Sequence, residues 1–344
     1  MKTKLKNVKI YCDDTGQFED GEICIENGLI ACSNGNAPDE EIDCLGALVT
    51  PNFVSGFGGI EKEVEENEVS PKLIAQKTFQ LYAENGYSKI VEQIDSFEVA
   101  KEFEKFWLET KIVSGDLNVL EKIQNQNKRN LTTGVFVDLV CDPPDDIDKK
   151  VAFAHKNKVQ LYSNLYDTLT RAGEISTMFG KSPIEVAEDF GMLDQSLVST
   201  NNVCLDKEDI VQMRDTKICL SPKANMFVGA GFELVGLIKS HQKTTCFASP
   251  NSLGLDAFEN MRAALCEARA GMCDEEILSE KEVFSWSIGT NEFSLKPNKI
   301  ASFLLILPPK TQKNIKNIEN LVKFASNRDI IANVVAGQFI YKKF

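Results

Sequence analysis

The feature that most constrains this chain's fold is a regular alternation through its middle. Short apolar runs fall at 49–55, 88–93, 111–115, 132–140, 158–165, 196–203, 217–222 and 244–249. Between and after them, helical periodicity is predicted over 71–84, 97–109, 117–126, 145–156, 183–190, 207–215, 232–241 and 256–270. Strands that alternate with helices pair in parallel through crossover connections, and eight such units are the complement of a closed barrel. The prediction is an α/β fold, a (β/α)8 TIM-like barrel, with functional groups at the C-terminal ends of its strands.

Both ends of the chain read differently. Strands are predicted over 6–11, 22–26, 29–33 and 41–49, with Asn27-Gly28 as a hairpin turn, and again over 300–307, 330–335 and 338–341 around Ala336-Gly337. Each end has too few strands to bury both faces of a sheet, so the two are expected to share one small β-sandwich. The expected division is 1–48 for the first part of the sandwich, 49–286 for the barrel and 287–344 for the second part.

Local signals support the helices. Ser182-Pro183-Ile184-Glu185 supplies an N-cap, a first-turn proline and a capping-box glutamate, with Gly191 as the stop. Phe258, Met261, Leu265 and Ala268 recur at three- and four-residue spacing and mark a core face.

A formal charge of −13 excludes nucleic acid as an expected partner, because phosphate binding needs a dominant basic surface. The lysines at 2, 4, 6 and 9 and at 310, 313 and 316 read as solvated ends. No run has the length of a membrane span and no apolar region follows the first lysines, so a cytoplasmic protein is expected. Ten cysteines (Cys12, Cys24, Cys32, Cys44, Cys141, Cys204, Cys219, Cys246, Cys266, Cys273) form no C-x-x-C pair and read as free, mostly buried thiols. Cys204, Cys219 and Cys246 lie on predicted strands, but a thiolate metal site would need all three turned toward one point.

The run Leu48-Val49-Thr50-Pro51-Asn52-Phe53-Val54-Ser55-Gly56-Phe57-Gly58-Gly59 resembles the amidohydrolase superfamily, in which an apolar strand leads into a His-x-His pair that binds zinc or iron. The deaminase and chlorohydrolase branch is the nearest likeness. Its segments are similar to Gly180 through Asp194, to Pro222-Lys-Ala-Asn225 with Gly229-Ala-Gly231, and to Leu255 through Ala264. The resemblance implies a metal site at the barrel mouth, and here this sequence departs from it. Phe57 and Gly59 stand at the His-x-His positions, Asn164 begins Asn164-Leu165-Tyr166-Asp167 in place of a His-Leu-Ala-Glu motif, Asn201 stands for a histidine, and Ala248-Ser249-Pro250-Asn251 replaces a step ending in aspartate. Phe57, Gly59, Asn164, Asn201 and Pro250 are therefore read as degenerate metal positions. Only His155 and His241 exist as histidines, both in helical stretches that precede strands, on the opposite rim.

What remains for the mouth is polar: Asp138, Asn164, Asp167, Asn201, Asn202, Lys223, Asn225, Ser249 and Asn251. Such groups can bind a small polar ligand or satisfy one another, but they do not activate water as a bound cation does. Ser221 and Ser249 have no histidine placed to act as a base. The expected function is that of a metal-free, non-hydrolytic binding subunit without cofactor, for a small molecule or a protein partner, with Asn164, Asp167, Asn201, Asn225 and Asn251 as ligand candidates. The alternative is a C–N hydrolase or deaminase like the relatives with the intact motif. A metal-independent enzyme using Asp167 and Lys223 as acid and base is the third. Substrate, partner and assembly into a homo-oligomer are left open by the sequence. The acidic stretch 60–70 reads as a solvated loop, shorter than the excursion that covers the substrate in relatives.

Overall fold

A computed structural model describes residues 2–31, 37–289, 294–308 and 315–344. Cys32, Ser33, Lys310 and Lys313 lie outside these residues. The strands in chain order are β1 (Lys2–Cys12), β2 (Gln17–Glu26), β3 (Leu29–Ala31), β4 (Glu40–Thr50), β5 (Phe53–Val54), β6 (Tyr87–Gln93), β7 (Glu109–Ser114), β8 (Leu131–Phe136), β9 (Gln160–Ser163), β10 (Leu197–Thr200), β11 (Lys217–Leu220), β12 (Thr245–Phe247), β13 (Phe303–Ile306), β14 (Ile330–Val335) and β15 (Gln338–Lys342).

Strands β5 to β12 pair in sequence order and in parallel, as the alternation requires. A parallel bridge between Gly58 and Ser249 joins the last strand to the first. Gly56 N–H donates to the Phe247 carbonyl at 2.7 Å and Ser249 N–H to the Phe57 carbonyl at 2.7 Å, which completes the seam. The (β/α)8 TIM-like barrel thus forms as the sequence predicts. Its apolar residues separate into two layers: one between strands and helices, and a smaller one inside the barrel made by Phe57, Val91, Val113, Phe136, Tyr162, Val198, Cys219 and Ala248.

The termini form one mixed sheet in the order β15-β14-β13-β4-β1-β2-β3. This is a single hydrogen-bonded sheet and not two stacked ones. Backbone bonds from Ala301 to Gly28 and from Gly337 to Ala301 bring its edge back on itself around a core of Leu5, Val8, Ile23, Val49, Phe303, Leu305 and Val334. The sheet is tied to the barrel by Asn333, whose Nδ2 donates to the carbonyls of Ala83 and Tyr87 at 3.0 and 2.9 Å, while Asn52 Nδ2 donates to its Oδ1 at 2.8 Å. Among the described residues no helix is long and apolar enough to cross a membrane.

Four local expectations change. The 49–55 run divides: Val49 and Thr50 belong to β4, and only Phe53–Val54 is barrel strand. The helix expected over 97–109 stops after Phe97–Ala100 and a 3-10 turn at Lys101–Lys105. There Asn130 Nδ2 donates to the carbonyls of Phe103, Glu104 and Phe106 at 3.3, 3.3 and 3.0 Å, which holds the chain in this turn. The stretch 60–70 is not all loop, since Ile60–Glu65 is helical with Ile60 and Glu61 buried. Finally, an additional helix, Leu169–Phe179, is capped by Thr168 and stopped by Gly180 at φ 70°.

Because β14 pairs with β13 and β13 with β4, a chain ending before residue 315 is expected to lose amide-exchange protection across residues 40–50 and 3–10. Unchanged protection there would show that the two ends fold separately. Asn333→Ala, which removes three buried hydrogen bonds, is expected to cost at least about 2 kcal/mol in denaturant unfolding.

Candidate functional site

The mouth of the barrel begins with Phe57. Its ring stacks on those of Phe136 and Tyr162 at 6.0 and 5.8 Å between centroids, with interplanar angles of 19° and 24°. Three aromatic rings from β8, β9 and the turn after β5 therefore occupy the barrel axis, and offset stacking adds about 0.5–1.5 kcal/mol per pair beyond burial. The two glycines that follow Phe57 are dictated by close approach. A Cβ at Gly58 would lie 2.2 Å from the Tyr82 hydroxyl and 2.3 Å from Glu92 Oε2, and one at Gly59 would lie 2.7 Å from the Pro250 carbonyl oxygen.

The other sequence candidates fall into separate small groups. Asn164 Oδ1 accepts from the Thr200 hydroxyl. Asn201 holds a left-handed backbone with φ 51°, a conformation that asparagine tolerates better than most residues. Its neighbour Asn202 is the fully buried one, donating through Nδ2 to the Ser199 and Cys219 carbonyls at 3.2 and 3.4 Å. Lys223 pairs with Glu259, Asn251 Oδ1 accepts from Leu253 N–H at 3.1 Å, and the Ser249 hydroxyl donates to Tyr87 Oη at 3.2 Å. Asp167 and Lys223 thus engage different partners. His155 lies 3.6 Å from Asp194, and His241 Nδ1 lies 2.9 Å from the Leu237 carbonyl.

Three groups were not foreseen from the sequence. Arg171 bridges two mouth carboxylates: its Nη2 is 2.6 Å from Asp138 Oδ1 and its Nε 3.5 Å from Asp167 Oδ2. Among the described residues, Arg171 Nε, Asp167 Oδ1 and Ser221 Oγ are buried without a hydrogen-bond partner. Burial raises the Asp167 carboxyl above its ordinary value, against the pull of Arg171. The signal was present as an i, i+4 pair, Asp167 and Arg171, but it lay in a helix that the periodicity missed.

Glu233 is fully buried behind the ends of β10 and β11, where it accepts from Ser221 N–H at 2.6 Å and Asn202 N–H at 3.3 Å. Glu92 is likewise buried, accepting from Glu61 N–H at 2.7 Å and the Tyr82 hydroxyl at 2.6 Å, and it serves the helix start that Gly59 cannot cap. Burial pushes both carboxyls up to about 8.

The implied metal does not fit these side chains. Phe57 offers no lone pair, Gly59 has no room for a side chain, and the Asn164 oxygen is engaged by Thr200. Among the described residues no group of three His, Cys, Asp or Glu could hold a metal ion. Cys219 and Cys246 do turn into the barrel together, but Cys204 is not in that apolar interior group.

No family model matches the chain. It is 22% identical to the 5-methylthioadenosine/S-adenosylhomocysteine deaminase of Thermococcus sibiricus over an alignment of 400 positions, gaps included, covering 99% of this chain and 94% of that protein. It is 25% identical over 141 residues to the enzyme of the same name from Desulforamulus reducens, a match that spans 40% of this chain and only 33% of that relative. A zinc-bound adenosine deaminase structure from Xanthomonas campestris superposes with a TM-score of 0.83 at 13% identity, covering 99% of this chain and 92% of that one. The chain is thus similar in sequence to 5-methylthioadenosine/S-adenosylhomocysteine deaminases, and it shares its fold with solved adenosine and guanine deaminases and with a zinc-bound atrazine chlorohydrolase.

Truncating the central ring, Phe57→Ala, is expected to cost about 3–5 kcal/mol through the cavity it leaves. Gly59→Ala is expected to cost about 1–3 kcal/mol through overpacking on Pro250. Denaturant midpoints of both variants check this. A raised carboxyl binds its proton more tightly in the folded state, so the stability contributed by Glu92 and Glu233 is complete below the ordinary value of 4.5, declines as pH rises, and is gone above about 8. Unfolding midpoints should therefore fall between pH 5 and pH 8, and Glu92→Gln should flatten that slope.

Proposed function

We propose that this chain is a non-hydrolytic, metal-independent relative of the deaminases, cytosolic, that binds a small polar ligand at the barrel mouth. The observation that supports the reading is the stack of Phe57 on Phe136 and Tyr162, which fills the barrel axis at the strand ends with hydrocarbon, surroundings that suit neither a metal nor its water. The ligand side rests on the unpartnered buried atoms. The buried Asp167 Oδ1 acceptor, the Arg171 guanidinium beside it and the Ser221 hydroxyl further along the mouth are groups to which a polar ligand could hydrogen-bond. The ligand class is a neutral or zwitterionic molecule that offers both a donor and an acceptor, because Arg171 already faces two carboxylates.

The second reading is C–N bond hydrolysis or deamination. It is favoured by the names of the relatives and by the length of the match to the Thermococcus protein. Ammonia release separates the two. With zinc supplied and 5-methylthioadenosine, S-adenosylhomocysteine, adenosine or guanine as substrate, the proposal expects no release above the no-protein control. A metabolite screen by thermal shift should yield a stabilising ligand whose effect is lost in Arg171→Met and Asp167→Asn. Zinc-dependent ammonia release abolished by a chelator would establish the deaminase reading instead.

A further inference from the structure

Beneath the aromatic stack, Gly56 faces two sulfurs. Cys219 and Cys246 are register partners on β11 and β12, and both belong to the apolar group inside the barrel. A Cβ at Gly56 would lie 2.8 Å from Cys219 Sγ and 2.4 Å from Cys246 Sγ, so glycine at this position is what leaves room for the two thiols side by side. Neighbouring strands stand about 4.7–4.9 Å apart. That falls inside the roughly 4.4–6.8 Å Cα separation a disulfide needs, so the bond requires side-chain rotation and no displacement of the backbone.

The layer next to these thiols, toward the N-terminal ends of the strands, is cationic. Lys217 precedes Cys219 by two residues, Lys111 precedes Val113 and Lys89 precedes Val91, so strand alternation turns all three toward the axis. Lys111 Nζ sits 5.9 Å from the Tyr162 ring centre and bonds Gln160, while Lys89 pairs with Glu109 at 2.6 Å. The hydrogen bond from Cys219, aided by Lys217 and Lys111, holds the Cys246 thiol below its ordinary value. Burial keeps Cys219 well above its own, with the Cys246 and Glu233 charges adding to the rise. Burial and the two neighbouring lysines bring Lys111 down to about 8, so its ammonium can give up a proton near neutral pH. Cys246 is partly buried, and Thr244 two residues before it is exposed.

We propose that Cys246 and Cys219 form a hydroperoxide-reactive thiol pair that cycles between dithiol and disulfide inside the barrel, beneath the aromatic stack. The Cys246 thiolate attacks one oxygen of the hydroperoxide and the O–O bond breaks, giving a sulfenic acid on Cys246. The departing oxygen takes a proton from Lys111 and leaves as water or an alcohol. The Cys219 thiol then attacks the Cys246 sulfur: the S–S bond forms, the S–O bond breaks, and the hydroxyl leaves as water with the Cys219 proton. Lys111 recovers its proton from solvent, and a thiol reductant returns the disulfide to two thiols.

The test uses the full-length reduced protein treated with one equivalent of hydrogen peroxide and mapped by peptide mass spectrometry. The expected result is a Cys219–Cys246 cross-linked peptide that dithiothreitol abolishes, and a sulfenic acid trapped by dimedone on Cys246 in Cys219→Ser. Lys111→Met should slow alkylation of Cys246 at pH 7, because one of the charges that favour its thiolate is removed. Should Cys219→Ser fail to fold, the wild-type cross-link still decides. Oxidation confined to the exposed Cys141, Cys266 and Cys273, with Cys219 and Cys246 recovered as thiols, would overturn the proposal, and so would an unchanged alkylation rate in Lys111→Met.

Discussion

The structure depends on the seam between the first and last barrel strands. A closed barrel leaves no unpaired strand edge, so backbone groups must meet where β5 and β12 come together. β5 is only two residues long, and the bonds that close the barrel come from the turn after it, Gly56 through Gly59, against Phe247 and Ser249. Glycine at 56, 58 and 59 lets this backbone pass the two cysteines, the Tyr82 and Glu92 pair, and the Pro250 carbonyl. Phe57 is then the only side chain the turn can send inward, and its ring completes the inner packing. The same seam therefore closes the barrel, fills its axis and brings the sulfurs together.

Around that seam, buried carboxyl groups act on the backbone. Glu92 receives the N–H at the start of helix Ile60–Glu65, and Glu233 receives two N–H groups at the ends of β10 and β11. In each case a loop that would otherwise bury unpaired donors is held by a side chain, at the cost of a carboxyl forced toward its neutral form. Asn333 does the equivalent between sheet and barrel with an amide, which carries no such dependence on pH.

The eight barrel strands and most of their helices were legible because burial on both sides writes long apolar runs and amphipathic periods into the sequence. The terminal strands and the Asn27-Gly28 and Ala336-Gly337 turns were legible for the same local reasons. Glu233, Glu92 and Arg171 were not, because each is a charged residue whose partners come from distant segments or from backbone N–H groups, and residue type alone reads it as surface. The pairing of Cys219 with Cys246 required the register of two strands, and the stack on Phe57 required knowing which faces of β8 and β9 turn inward. Asn201 was noticed as a ligand substitute, yet its left-handed backbone assigns it to the turn, while Asn202 carries the buried hydrogen bonds.

The reading of the barrel as metal-independent is tested most directly by elemental analysis of the full-length protein purified from cells grown with added zinc. If hydrocarbon fills the axis as proposed, zinc, iron and manganese will each be far below one atom per chain, and chelation will leave the unfolding midpoint unchanged. One tightly held transition metal per chain, whose removal by a chelator lowers that midpoint, would contradict the account.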